Sequence, residues 1–223
     1  RNGLAAGKIG ATSTSFGVGA LNAGAATNST AFGTNALNAN TTGTDNVAVG
    51  NGALAANTTG IQNTAVGKGA LAANTGTGSV AVGYNALDAS TGNYNVGIGL
   101  NALGANSIGI NSTAVGAAAL ASNTGSGNTG IGYGALANNV ASTGLTAVGQ
   151  NALLLNTGAN NTAVGDNALA ANTTGTSNTA VGYASGDNLT TSDNTAVGFN
   201  ALSAASGAGS TAVGSGTLAL NTA

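Results

Sequence analysis

The chain has no cysteine, proline, histidine, tryptophan or methionine among its 223 residues. Without cysteine it can form neither a disulfide framework nor a thiolate metal site. Only 4% of the residues are charged, whereas an ordinary soluble domain carries about a quarter. The three basic residues and the net charge of -2 provide no cluster of positive charge for a nucleic acid or an anionic membrane. We therefore exclude nucleic-acid binding.

Groups that titrate or attack are also scarce. The acidic residues are five aspartates and no glutamate, and serine and threonine have no histidine to act as a general base. The aspartates are too sparse and too irregular for a calcium-binding β-roll, which repeats them in every turn. No run of 18 apolar residues occurs, so this segment should not insert directly into a membrane. The sequence predicts a protein that is not an enzyme and needs no cofactor or metal.

What the chain does contain is a repeat, marked by a glycine that follows each T-A-V-like triplet. Thirteen such anchor glycines lie 16 or 17 residues apart, and we number the coils 1 to 13 by them. They are Gly17, Gly33, Gly50, Gly67, Gly83, Gly99, Gly116, Gly132, Gly149, Gly165, Gly182, Gly198 and Gly214. Helical repeats need periods of about 33 or more, so this period indicates single coils of a β-solenoid.

The triplet before each anchor predicts a short strand. Its first residue is Thr or Val, its middle residue is Ala, Gly or Ser, and its last is Val, Ile or Phe. Because side chains alternate across a strand, the two β-branched residues share one face and the small residue faces the other way. We expect the bulky face to form the core.

Two further segments complete each coil. The fourth residue after the anchor is Leu in twelve coils, usually preceded by Ala, and glycine or asparagine between anchor and Leu predicts a tight corner between two short strands. The remainder reads N-T-G or N-T-T-G, and one extra threonine in this turn accounts for the two coil lengths without shifting the strands. The predicted fold class is therefore all-β, a parallel β-solenoid (β-roll).

Residues 1–12 are expected to form a partial coil or cap, and residues 13–223 the repeat domain. The sequence stops midway through a coil without a polar cap, so we expect further sequence or another subunit to follow.

The repeat resembles a known family. Asn46-Val47-Ala48-Val49-Gly50 and Ser79-Val80-Ala81-Val82-Gly83 are similar to the N-S-V-A-I-G repeat of YadA-like heads in trimeric autotransporter adhesins. The likeness recurs in nearly every coil. It implies a left-handed parallel β-roll, three identical chains side by side, and an extracellular location at a bacterial surface. It also implies binding to a host or extracellular protein or glycan.

Two sets of candidate site residues follow. The small strand residues would allow chains to approach closely, so we expect trimer packing at Ala48, Ala65, Ala81, Ala114, Ala163 and Ala180. The residue after the anchor is chemically mixed and should face solvent, so we expect ligand binding at the aromatic members of that column, Tyr84, Tyr133, Tyr183 and Phe199.

Two other features have alternative interpretations. Asparagine recurs four residues before the anchor and seven after it, as in Asn161 and Asn172, and either stacks its amides along the turns or forms a glycan-binding face. Coil 11 reads Ala184-Ser185-Gly186-Asp187-Asn188-Leu189 and lacks the usual leucine, which indicates a local bulge or a displayed recognition loop.

The function expected from these observations is structural or adhesive, as a fibre or adhesin head that mediates surface attachment. Two alternatives stay open. One is a segment of a phage tail fibre, on a virion, or of a self-assembling extracellular filament. The other is an ice-binding solenoid, because Thr begins the triplet in ten of thirteen coils. Ice binding would need these threonines to point outward, whereas the expected core places them inward.

Overall fold

The computed structural model describes residues 12–23, 27–203 and 207–219. These residues contain thirteen strands of three residues each and no helix. The strands are β1 Thr14–Phe16, β2 Thr30–Phe32, β3 Val47–Val49, β4 Thr64–Val66, β5 Val80–Val82, β6 Val96–Ile98, β7 Thr113–Val115, β8 Thr129–Ile131, β9 Thr146–Val148, β10 Thr162–Val164, β11 Thr179–Val181, β12 Thr195–Val197 and β13 Thr211–Val213. Each is the triplet that the sequence predicts as a strand.

The chain divides into two compact units, which contain β1–β6 and β7–β13. In the first unit each strand pairs in parallel with the next along the chain, with Ala48 opposite Ala65 and Ala65 opposite Ala81. The second unit repeats this arrangement, with Ala163 opposite Ala180. Equivalent residues of successive coils are therefore in register, although the coils differ in length. The all-β, parallel β-solenoid is confirmed.

The two faces of the strands are the reverse of our expectation. The middle residues, such as Ala48 and Ala65, are 0% exposed. Val49 and Val66, the last residues of the same two strands, are 38% and 37% exposed. The small side chains thus line the interior of each coil, and the β-branched side chains point outward. The reason is space, because the interior beside the middle residue is already occupied. A Cβ on Gly97 would lie 3.0 Å from Cγ of Leu87.

The Ala-Leu segment does not form the second strand that we predicted. Leu54 and Leu71 both have a φ of 51°, in the left-handed region that breaks an extended chain, and this conformation recurs at the equivalent leucines of other coils. The segment is a turn, closed by the Asn57 amide donating to the Leu54 carbonyl at 3.1 Å. The left-handed conformation costs about 1 kcal/mol or more at a non-glycine residue. Complete burial of the Leu54 and Leu71 side chains in the core stabilises the fold by a comparable amount or more.

Coil-to-coil hydrogen bonds continue through these turns. The Leu54 amide donates to the Ala70 carbonyl at 3.0 Å, and the Ala56 amide to the Ala72 carbonyl at 2.9 Å. Because the turns also pair with the next coil, a strand of only three residues is enough to hold successive coils together.

The core that results contains buried asparagine and serine side chains as well as apolar ones. It consists of alanine and leucine, together with the asparagine columns that lie on either side of the N-T-G turn. Among the described residues there is no helix long and apolar enough to cross a membrane. Of the cap expected over residues 1–12, positions 1–11 lie outside the described residues, as do the last four residues of the chain.

Candidate functional site

The outer strand face is the most regular surface of each unit. It consists of the first and last residues of every strand, so that a column dominated by threonine runs beside a column of valine, isoleucine and phenylalanine. Members of one column are about 4.8 Å apart, and the two columns are about 6.7 Å apart along the strand. No residue in either column is charged. Each unit therefore exposes a face of β-branched side chains on a two-dimensional grid.

The alanines expected to pack between chains are not on this surface. Ala48, Ala65, Ala81, Ala114, Ala163 and Ala180 are all 0% exposed within the single chain. They contact the leucines and backbone of their own solenoid and offer no surface to a neighbour. Their assignment to trimer packing is therefore wrong, because the strand faces are inverted. Any side-by-side contact through the sheet must instead use the outward β-branched columns.

The residue after each anchor forms a second surface, which we call the edge column. The predicted aromatic residues Tyr84, Tyr133, Tyr183 and Phe199 lie there and are between 47% and 63% exposed. The structure brings only two of them together. The rings of Tyr183 and Phe199 stack with centroids 5.4 Å apart and an interplanar angle of 11°. Tyr84 instead lies beneath the Lys68 ammonium, 5.6 Å from its ring centroid, and Tyr133 is three coils from Tyr183.

The asparagine columns are internal, so they cannot form a glycan-binding face. Asn161 is 0% exposed, its Nδ2 donates to the Gly175 carbonyl at 2.7 Å, and its Oδ1 accepts the Asn178 amide at 2.8 Å. In the second column Asn172 donates to the Gly175 carbonyl at 3.0 Å, and its Oδ1 accepts the Gly175 amide at 2.9 Å. The interpretation as stacked amides is confirmed. Asn221, at the end of the second column, lies outside the described residues.

Coil 11 contains neither a bulge nor a displayed loop. Gly186 keeps the left-handed φ of the leucine that it replaces, and its amide donates to the Ala201 carbonyl at 2.9 Å. Leu189, three residues later, is fully buried, and a Cβ at Gly186 would lie 2.9 Å from its Cδ1. Leu189 thus fills the space that the missing side chain leaves. Coil 11 therefore supplies its buried leucine from position 189 and not from position 186, and the core still contains a leucine at this coil.

The aspartates give no catalytic arrangement. Burial raises the pKa of Asp88, partly offset by hydrogen bonds from the Ala89 amide and from its own amide. Burial likewise raises the pKa of Asp187, partly offset by the Ala171 amide. Asp88 belongs to the first unit and Asp187 to the second. In the part of the chain that the structure describes, no three acidic, histidine or cysteine residues are grouped to hold a metal ion.

Comparison with protein-family models, with curated proteins and with solved structures finds no match to this chain. The likeness to YadA-like heads therefore depends on the repeat motif and on the β-solenoid itself.

Proposed function

We propose that this chain is a structural and adhesive segment of an extracellular fibre or adhesin head, in which three copies pack side by side through their outer strand faces. The location that fits is a bacterial cell surface or a phage virion. The partners are two further copies of the chain and a host or extracellular surface protein or glycan. The observation that carries the proposal is the uncharged, β-branched outer strand face that a single copy leaves exposed.

Three features of this face support self-association. Val49, Val66 and Val82 are each 37–38% exposed in one continuous apolar column, and a contiguous exposed apolar patch often marks a protein–protein contact. The residues are rigid at χ1, so little side-chain entropy is lost when a second copy covers them. The Thr64 hydroxyl, on the strand of Val66, can donate to and accept from the equivalent hydroxyl of a partner. Three such faces turned inward would enclose a common apolar core.

A single charged substitution tests the assembly. We expect Val49→Lys to weaken association about a hundredfold or more, because an unpaired ammonium would be buried between copies. Sedimentation equilibrium of the native chain and of the variant measures the stoichiometry and the dissociation constant. Asn51→Lys is the matched control, since it places the same charge two residues away in the exposed edge column.

The native chain should sediment as a trimer and Asn51→Lys should do the same. A native chain that stays monomeric would contradict the proposal, as would a Val49→Lys variant that assembles as tightly as Asn51→Lys.

A second candidate function, ice binding, gains a specific observation from the structure. The threonines at the start of the strands point outward, not inward as the sequence had led us to expect, as the half-buried Thr146 and Thr162 show. They form a column of hydroxyls and methyls on a regular grid, with hydrophobic valines alongside. Such a grid can hold ordered water. Ice binding and trimer assembly exclude each other, because the outer strand face cannot contact ice and neighbouring copies at the same time.

If the face binds ice, the native chain should show thermal hysteresis, and Thr162→Tyr should remove most of it because the bulky ring breaks the flat grid. Thr143→Tyr, in an exposed turn of the same unit, is the control and should leave the hysteresis unchanged. Nanolitre osmometry gives the measurement. A native chain without hysteresis would eliminate this candidate.

A further inference from the structure

The edge column of the second unit contains a polar interval between aromatic residues. The five successive members from coil 8 to coil 12 are Tyr133, Gln150, Asp166, Tyr183 and Phe199. Backbone hydrogen bonds of 2.9–3.0 Å join the successive coils at these positions, so each side chain follows the previous one at the coil spacing of about 4.8 Å. Tyr133 and Tyr183 are three coils apart, which corresponds to about 14 Å. Between them lie only the shorter side chains of Gln150 and Asp166.

The orientation of the Tyr183 ring follows from its stacking partner. Phe199, on the next coil, covers one face of the ring at 5.4 Å and nearly parallel. The opposite face is therefore directed along the column toward the coil of Asp166. Tyr183 is 50% exposed, so part of its side chain is in contact with solvent. A stacked ring is also a rigid wall, because its partner restricts rotation of χ1 and χ2.

The Asp166 carboxylate lacks the partners that its surroundings would require. Its Oδ1 is shielded from solvent and accepts no hydrogen bond. A shielded carboxylate oxygen without a donor is unfavourable, so it gains from any donor that approaches. Asp166 is also the only acidic residue in the edge column. Rotation about the terminal torsion of the carboxyl group can present either oxygen to the surface.

We propose that this interval is a binding site for a neutral oligosaccharide, with the C–H face of a sugar ring on Tyr183 and sugar hydroxyls donating to Asp166 and to the Gln150 amide oxygen. Aromatic walls with a polar floor match the alternating apolar and hydroxyl surfaces of a sugar. The carboxylate and the net negative charge of the chain disfavour acidic sugars. The proposal names the class of ligand that the adhesive surface binds, so it rests on the proposed function.

Tyr84, another of the predicted aromatic residues in the edge column, provides a natural contrast. The Lys68 ammonium lies over one face of its ring at 5.6 Å. Its neighbours in the column are Lys68 and Leu100, so no acidic residue adjoins it. Tyr84 therefore lacks the acidic neighbour that the proposed site provides beside Tyr183.

The test is a titration of the full chain with neutral tetrasaccharides of glucose, galactose, mannose and N-acetylglucosamine, followed by isothermal calorimetry and by NMR of the tyrosine ring resonances. We expect at least one of these sugars to bind and to shift the Tyr183 resonances. Tyr183→Ala should weaken binding about tenfold and Asp166→Asn several-fold. Tyr94→Ala, which removes an exposed tyrosine outside the edge column, is the control and should leave the affinity unchanged. Circular dichroism checks that each variant remains folded.

The inference is overturned if none of the four sugars binds, or if Tyr94→Ala and Tyr183→Ala weaken binding equally. Its failure is distinct from failure of the proposed assembly. A chain that forms trimers without binding sugar refutes only the oligosaccharide site, and a monomer that binds sugar through Tyr183 refutes only the assembly.

Discussion

Gly83→Ala should destabilise the protein by about 4 kcal/mol, although it adds only one methyl group. Gly83 is an anchor glycine with a φ of +137°, a conformation that L-residues with a side chain rarely adopt. A Cβ there would lie 2.5 Å from the Gly99 carbonyl oxygen and 2.7 Å from its carbon. Both contacts are with the backbone of the next coil, so no side chain can move aside. Guanidinium denaturation followed by circular dichroism measures the loss.

The matched control is Gly52→Ala in the same unit. Gly52 also has a positive φ, +69°, but a Cβ at this position would meet nothing within 4 Å. It should therefore cost only the conformational strain, about 1 kcal/mol. Equal losses at Gly52 and Gly83 would show that close stacking of the anchor glycines is not what fixes the coil spacing.

The coil architecture was predictable because its signals are redundant. Thirteen anchor glycines in phase fix the period, and the insertion of a threonine in the turn after Asn57 but not after Asn74 accounts for both coil lengths. Every triplet assigned as a strand is a strand. The agreement arises because every coil of a solenoid has the same local structure, so an ambiguous assignment in one coil can be decided from the aligned residues of the neighbouring coils.

The direction of the side chains was not predicted correctly, because we assumed that the bulkier face of a strand is buried. In this fold leucine already occupies the interior, so only Ala, Gly or Ser fits opposite it, as at Gly97 beside Leu87 and Gly130 beside Leu120. One signal was available in the sequence. Asn63, two residues before Ala65, lies on the same side of the chain and forms part of the buried amide column. Small or amide side chains occupy both positions in twelve of the thirteen coils, Leu145 being the exception, and this pattern indicates an interior with little room.

The candidate binding residues were only partly accessible to sequence reasoning. The exposed edge column and its four aromatic residues follow from its mixed composition. The stacking of Tyr183 on Phe199, the shielded oxygen of Asp166 and the cation over Tyr84 depend on rotamers and coil spacing, which the repeat alone does not specify.

Ala65→Glu should prevent the first unit from folding. Ala65 is 0% exposed, and a carboxylate in its place would have neither water nor a cation to compensate its charge. The cost of burying an unpaired charge exceeds several kcal/mol, which is comparable to the whole stability of a domain. Val66→Glu changes the adjacent residue to the same side chain. Because Val66 is 37% exposed and points outward, its carboxylate should remain in water and the unit should stay folded.

The comparison of these two variants by thermal unfolding, monitored by far-ultraviolet circular dichroism together with the molar mass in solution, tests the central claim most directly. The account predicts that Ala65→Glu loses the contribution of the first unit to the unfolding transition and that Val66→Glu unfolds cooperatively with the full amplitude, as a monomer. A folded Ala65→Glu chain and an unfolded Val66→Glu chain would show that the β-branched side chains form the interior, and would contradict the account.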